Sequence, residues 1–200
     1  MLESMANYDA QATRRRLLDA AYTEFARYGI AGARVDRIGE AAESNKAQIY
    51  HYFGGKLQLF DAVFAQTAVE MATEVPFDPY DLPGYAGRLV RLHDRRPEIM
   101  RLVTWQRLER SGGEPNPLAV AAVASQVDAI AEAQEAGVLP AHFPPGFIFG
   151  LVLHIAAGWT AVNPEFEAAI GVPDLDERVR HVEDAVRTLL TAPSSPTAVL

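Results

Sequence analysis

Residues 45–64, NKAQIYHYFGGKLQLFDAVF, leave this chain few folds to choose from. A polar turn leads into a helix of about two turns with only two apolar anchors, Ile49 and Phe53, four residues apart. The other positions are polar or aromatic: Lys46, Gln48, Tyr50, His51 and Tyr52. Asn45 is a good N-cap for it, since its side-chain oxygen can accept an orphan backbone N–H. Gly54-Gly55 ends the helix, and Lys56 opens an amphipathic one over 56–74 with Leu59, Phe60, Val63 and Phe64 on one side. A compact helix of this kind suits a phosphate-lined groove. Its hydroxyls and amides reach phosphate oxygens and base edges, and lysines neutralise backbone charge. Lys46 and Lys56 are the only lysines among 18 basic residues, and they bracket this helix.

Helix breakers divide the rest, and no alternating β pattern runs beyond a few residues, so the chain is read as all-α. Residues 9–28 carry Leu17, Leu18, Ala21, Phe25 and Tyr28 at three- and four-residue spacing, closed by Gly29. Residues 35–42 form a short helix with Val35, Ile38 and Ala42 inward, followed by the turn Glu43-Ser44-Asn45. Pro76, Pro79 and Pro83 break the chain after the 56–74 helix. Further helices are expected near 83–95, 97–110, 117–136, 144–162 and 175–191, with first-turn prolines at Pro97 and Pro117. The tail 192–200 is expected to be frayed.

A net charge of −8 opposes nucleic-acid binding if it is spread evenly, but it is not. Residues 1–56 hold eight Lys/Arg against seven Asp/Glu, and residues 57–200 hold ten against nineteen. The acidity belongs to the second part, which leaves the first free to present a basic face. At 49% apolar and 22% charged the composition is that of a globular protein. The absence of cysteine excludes disulfides and thiolate metal sites and fits a reducing compartment. The N-terminus has no basic-then-apolar signal design, so a cytoplasmic location is expected.

The segment 146–162, GFIFGLVLHIAAGWTAV, is almost wholly apolar. A membrane span needs about 20 such residues. This one is shorter, holds His154 and is bounded by prolines, so no membrane partner is expected. A helix apolar all round is otherwise buried on several sides. In the 175–191 helix, Leu175, Val179, Val182, Val186 and Leu189 make a coiled-coil-like seam. Val179, Val182, Val186 and Leu189, with the 146–162 helix, are therefore expected to form an isologous homodimer interface.

From about Arg15 to Phe64 the chain resembles the TetR (tetracycline-repressor-like) family of bacterial transcription regulators. The residues that carry the resemblance are the Phe25…Gly29 end of the first helix, the Ile38…Ala42 helix, the Lys46…Ile49-Tyr50-His51-Tyr52-Phe53 helix and Lys56. The resemblance implies an N-terminal three-helix helix-turn-helix DNA-binding domain, residues 1–56. It also implies a C-terminal helical ligand-binding and dimerisation domain, residues 57–200, with the 56–74 helix as connector. The implied partners are a double-stranded DNA operator, a small-molecule effector and a second copy of the chain. By position, Arg34, Asn45, Lys46, Ala47, Gln48, Tyr50, His51, Tyr52 and Lys56 form the DNA-contacting set. Gln48 is the base reader, while Tyr50, His51 and Lys56 grip phosphates. Some of Thr13 and Arg14 to Arg16 reach the DNA backbone as well.

Three positions test the resemblance. Arg34 stands where the family often has threonine, which removes a hydroxyl cap. Glu43-Ser44 stands for the usual Gly-Val of the turn, which is then strained or of another type. Ala47 fits the usual small residue after the lysine.

For the effector the resemblance implies a pocket among the helices after residue 83. Its candidate lining is Tyr85, His93, Met100, Trp105, Phe147, His154 and Trp159. No phosphate-loop glycine pattern, nucleophile elbow or metal-like His/carboxylate spacing is present, so neither enzyme, cofactor nor metal is expected. The alternative reading is an all-helical adaptor whose helix-turn-helix no longer binds DNA.

Overall fold

The computed structural model describes residues 2–110, 112, 114–160 and 164–191. Among these there are ten α-helices, one 3-10 turn and no strand. They are α1 (Leu2–Gly32), α2 (Val35–Ala41), α3 (Lys46–Phe53), α4 (Lys56–Glu74), α5 (Leu82–Arg95), α6 (Glu98–Glu109), α7 (Pro117–Glu135), α8 (Pro145–Ala157), α9 (Pro164–Ile170) and α10 (Leu175–Leu189). The tail from 192 and the last two positions of the 146–162 segment lie outside the described residues. Among the described residues no single helix is long and apolar enough to cross a membrane. Helix α9 escaped the sequence reading because all seven of its residues are exposed. A helix with no buried face has no apolar period to detect.

The chain packs as two compact units, Met1–Met71 with Pro97–Ala119, and Ala72–Arg96 with Val120–Leu200. This grouping differs from a division at residue 56, for a packing reason. Leu59, Phe60 and Val63 of α4 and Leu102 of α6 are buried in one core with Leu17, Ala21 and Phe25 of α1, Ile38 of α2 and Ile49 of α3. Phe25 and Phe60 meet edge to face at 5.2 Å. A three-helix unit cut at 56 would leave that apolar surface bare.

In the first unit α1 is interrupted at Gly29, whose φ of 69° and ψ of −176° only glycine adopts readily. Helix α6 closes the break. Arg101 donates to the carbonyls of Ala26 (2.7 Å) and Arg27 (3.2 Å), and the Trp105 indole N–H donates to Ala26 (3.4 Å). The Glu109 carboxylate accepts the Ala31 N–H at 2.7 Å. Residues 101, 105 and 109 lie on one stripe of α6. They satisfy carbonyls before the break and an amide after it, groups a broken helix otherwise leaves orphaned. Trp105, expected at an effector pocket, is thus engaged at the end of α1.

In the second unit α10 lies along α5. Val179, Val182 and Val186 are 6%, 3% and 0% exposed within the single chain, and Leu189 is half-buried. This corrects the expected interface: the valine seam is covered from inside. Helix α5 buries Leu82, Tyr85, Ala86, Leu89, Val90 and Leu92 and packs against α10. Ion pairs Arg91–Asp176 (2.8 Å) and Arg178–Asp94 (2.6 Å) flank the contact. Helix α8 covers α5 with Ile148, Phe149, Val152 and Ala156. Tyr85 sits edge-on to Phe77 at 5.2 Å, and Phe77 in turn to Phe149 at 5.6 Å.

The expected effector residues are divided between the two units. Tyr85 and His93 are core residues of the second unit, whereas Phe147 and His154 are exposed on the outer side of α8. Trp159 is half-exposed beside Phe166, and Met100 is half-buried in the first unit.

His93 is 5% exposed, hydrogen-bonds the Ala156 backbone, and among the described residues its Nδ1 has no partner. Burial pushes its pKa below the ordinary value, and the Ala156 bond only partly offsets this. The unfolded chain, with histidine near 6.5, therefore binds the proton more readily. Stability should be full above about pH 6.5 and fall as pH drops from there through the lowered native pKa. Denaturant titrations at stepped pH check this, with His93→Gln removing the dependence in that window.

Candidate nucleic-acid interface

Helix α3 is fixed at both ends. The Asn45 side chain accepts the Gln48 N–H at 3.1 Å, as a cap residue should. Gly54 closes the helix at φ 86°, its N–H on the Tyr50 carbonyl at 2.9 Å. Ile49 is fully buried, and Tyr52 and Phe53 pack partly against the same core. The opposite face carries Lys46, Ala47, Tyr50 and His51, all exposed, with Gln48 half-buried at its edge. Tyr50 is 49% exposed. Tyr52 turns inward instead, with His51 edge-on at 5.1 Å. Lys46 lies 3.6 Å from Asp36, both exposed, an arrangement that holds the lysine only weakly.

Lys56 has a structural engagement that the sequence does not announce. Its ammonium donates to the carbonyls of Ala31 (3.3 Å) and Ala33 (3.1 Å), closing the connection between α1 and α2. Two of its three donors are thereby used. Arg16 is also a fold residue: it donates to the Ala42 carbonyl at the end of α2 (3.1 Å) and to the Thr13 hydroxyl (3.2 Å). Arg14 lies 5.2 Å from the centre of the Phe53 ring. Arg34 is exposed at the N-cap of α2 and makes no side-chain capping bond.

Of the two readings left open for the turn between α2 and α3, the backbone at Glu43 favours strain. Glu43 has φ 50°, in the left-handed region that favours glycine. The close approach of the two helices over buried Gly39 requires this turn: a Cβ on Gly39 would lie 3.4 Å from Ser44 and Lys46 backbone atoms. Glu43→Gly should relieve about 1 kcal/mol of strain, which a urea titration would detect as a raised midpoint. A lowered midpoint would show that the strain is smaller than the cost of the extra freedom glycine gives the unfolded chain.

The sequence reading passed over Glu24. It is buried on α1 and accepts the Arg34 N–H and two donors from Arg37. The signal was a carboxylate at apolar spacing, three residues after Ala21 and four before Tyr28.

The chain is similar to known proteins in sequence and in fold. The family described as "Bacterial regulatory proteins, tetR family" matches residues 17–63, and "Tetracyclin repressor-like, C-terminal domain" matches residues 81–188. The chain is 40% identical over 166 residues to the HTH-type transcriptional repressor SCO4008 of Streptomyces coelicolor, covering 82% of this chain and 85% of that one. The crystal structure of the transcriptional regulator SCO4942 from the same species superposes with a TM-score of 0.79 at 37% identity, over 90% of this chain and 99% of that one. AibR, solved in complex with isovaleryl coenzyme A and operator DNA, shares the fold at a TM-score of 0.64 and 17% identity, over 86% of this chain and 97% of that one. On a motif, a matched C-terminal domain and a relative along most of its length, the chain belongs to the tetR family of bacterial regulatory proteins, transcription regulators that bind DNA through a helix-turn-helix.

Proposed function

We propose that the chain is a ligand-responsive repressor that binds a pseudo-palindromic operator as a homodimer and leaves it when a small effector binds. The observation that carries the DNA half is the outer face of α3. Lys46, Ala47, Tyr50 and His51 are exposed on a helix capped at Asn45 and Gly54 and anchored by Ile49. A surface so held can read a groove without further ordering. Gln48 at its edge has the amide that pairs with adenine, while Tyr50, His51 and Arg34 reach phosphates.

Selection of duplexes from a random pool should recover two half-sites about 34–36 Å apart, or a small multiple of a helical turn. Gln48→Ala should relax preference at particular base pairs. Lys46→Ala should weaken all sequences alike and flatten the salt dependence by about one unit of slope. A pool that yields no preferred sequence would favour the adaptor reading.

The dimer then forms on surfaces left open by the correction above. Helix α8 is apolar all round, yet only one side is covered. Phe147, Leu151 and His154 lie along the other side, exposed or half-exposed, at four- and three-residue spacing. We place the two-fold contact there, beside the outer face of α10.

For the effector, the first unit holds a cavity of about 270 Å³ lined by Asp61, Phe64, Gln106 and Arg110. Arg110 pairs with Asp61 at 3.1 Å. Among the described residues, Gln106 Oε1 and Arg110 Nε are buried without partners. Placed polar groups against an aromatic wall are what a small-molecule site needs. A ligand library screened by thermal shift, repeated with Gln106→Leu, tests this seat.

A further inference from the structure

Glu24 occupies a position that the pattern of α1 reserves for an apolar residue. It is 9% exposed, and one oxygen, Oε1, takes three donors: the Arg34 N–H at 2.8 Å, Arg37 Nε at 2.8 Å and Arg37 Nη2 at 2.5 Å. Arg37 also donates to the Gly32 carbonyl at 3.1 Å, and its guanidinium stacks 4.4 Å from the Tyr28 ring centre. Burial alone would raise the Glu24 pKa, but the bonds from Arg37 and Arg34 and the charges of Arg37 and Arg27 hold it below the ordinary value. Helix α2 has no side-chain cap of its own. In a capping box a carboxylate inside the helix reaches back to the N-cap amide. Here the carboxylate comes from a different helix.

We propose that Glu24 is a positioning residue for DNA binding: from α1 it supplies the cap that α2 lacks, ties Arg37 down as a structural cation, and so fixes the angle at which α2 and α3 are presented. This rests on the DNA-binding reading above. The geometry separates the role from a simple contribution to stability. Glu24 is buried while the Arg37 side chain is 39% exposed, so removing Arg37 alone strands a buried carboxylate, whereas replacing both members leaves no charge unpaired. The double variant Glu24→Met with Arg37→Met therefore keeps the fold but loses the cap on the Arg34 amide.

The test uses the full-length protein and the duplex that the wild type selects from a random pool. With the double variant, affinity for that duplex should fall about tenfold, the size of a lost helix cap, at a temperature where the protein is fully folded. Amides 34–37 should exchange faster by hydrogen exchange. Glu24→Gln keeps an acceptor for the Arg34 amide and should hold affinity within about threefold. A double variant that is folded and binds as tightly as wild type overturns the proposal. Should it fail to fold, Glu24→Asp, which withdraws the carboxylate by one methylene, must show the same drop, and unchanged affinity there overturns it equally. A wild type that selects no duplex overturns the DNA-binding reading, and this proposal with it.

Discussion

Gly29→Ala should cost about 3 kcal/mol or more of stability and weaken operator binding even where the protein remains folded. Two effects add. The backbone at Gly29 (φ 69°, ψ −176°) lies where a side chain is strained by about 1–3 kcal/mol. A Cβ there would also stand 2.5 Å from Glu109 Oε1 and 2.8 Å from the Trp105 ring, so those two side chains must give way and their bonds to α1 are disturbed. Against a typical total of about 5–15 kcal/mol, that is a large share. Gly54→Ala is the control. Its φ is also positive, at 86°, but nothing lies within 4 Å of the added carbon, so only the backbone term applies. Equal losses for the two variants in a denaturant titration would show that the α6 contact carries no weight.

The same contact changes where communication within the first unit is to be sought. The sequence points to the 56–74 helix as connector, and α4 does bury Leu59, Phe60 and Val63 in the core beneath α3. Helix α6 holds a second grip, because Arg101, Trp105 and Glu109 cap both sides of the Gly29 break, and the segment after that break leads into α2. A displacement of α6 by even a fraction of a turn would break several charge-assisted hydrogen bonds at once. Trp105→Ala therefore belongs among variants expected to alter DNA binding without touching DNA.

What the sequence could reveal follows from the range of each interaction. Helix α3 was legible because its cap, its anchor and its stop are Asn45, Ile49 and Gly54, all within ten residues. Strain at Glu43 was one of two readings that the departure from the family's Gly-Val left open, and the φ of 50° is what distinguishes them. The carbonyl contacts of Lys56 were not legible because its ammonium acts on Ala31 and Ala33, far back in the chain, and a cation's partner is not written beside it. Glu24 was passed over for the same reason, since its partners Arg34 and Arg37 lie on another helix. The valine seam shows the limit most plainly. A stripe at four- and three-residue spacing says that something covers it, but not whether that something is α5 of the same chain or a second copy. The apolar excess of α8 carried better information: one helix cannot bury every side of itself against a single layer.

Val186→Glu and Leu151→Glu should therefore fail in different ways. Val186 is fully buried between α10 and α5, among apolar side chains. A carboxylate there has no cation within its own stripe, since Arg91, Arg178 and Arg187 are engaged at the flanks with Asp176, Asp94 and Glu183. It must either protonate or unfold the packing, at several kcal/mol, so the second unit should lose its cooperative melting transition. Leu151 is half-exposed on the outer side of α8. A glutamate there is hydrated in the monomer and clashes in charge only when two copies meet across the two-fold. Leu151→Glu should keep its helix content and melting cooperativity, run as a monomer by light scattering, and bind a single half-site weakly. The reverse result, a folded monomer from Val186→Glu and a collapsed chain from Leu151→Glu, would return the interface to the valine seam. A Leu151→Glu protein that stays dimeric would move the two-fold contact off this face of α8 altogether.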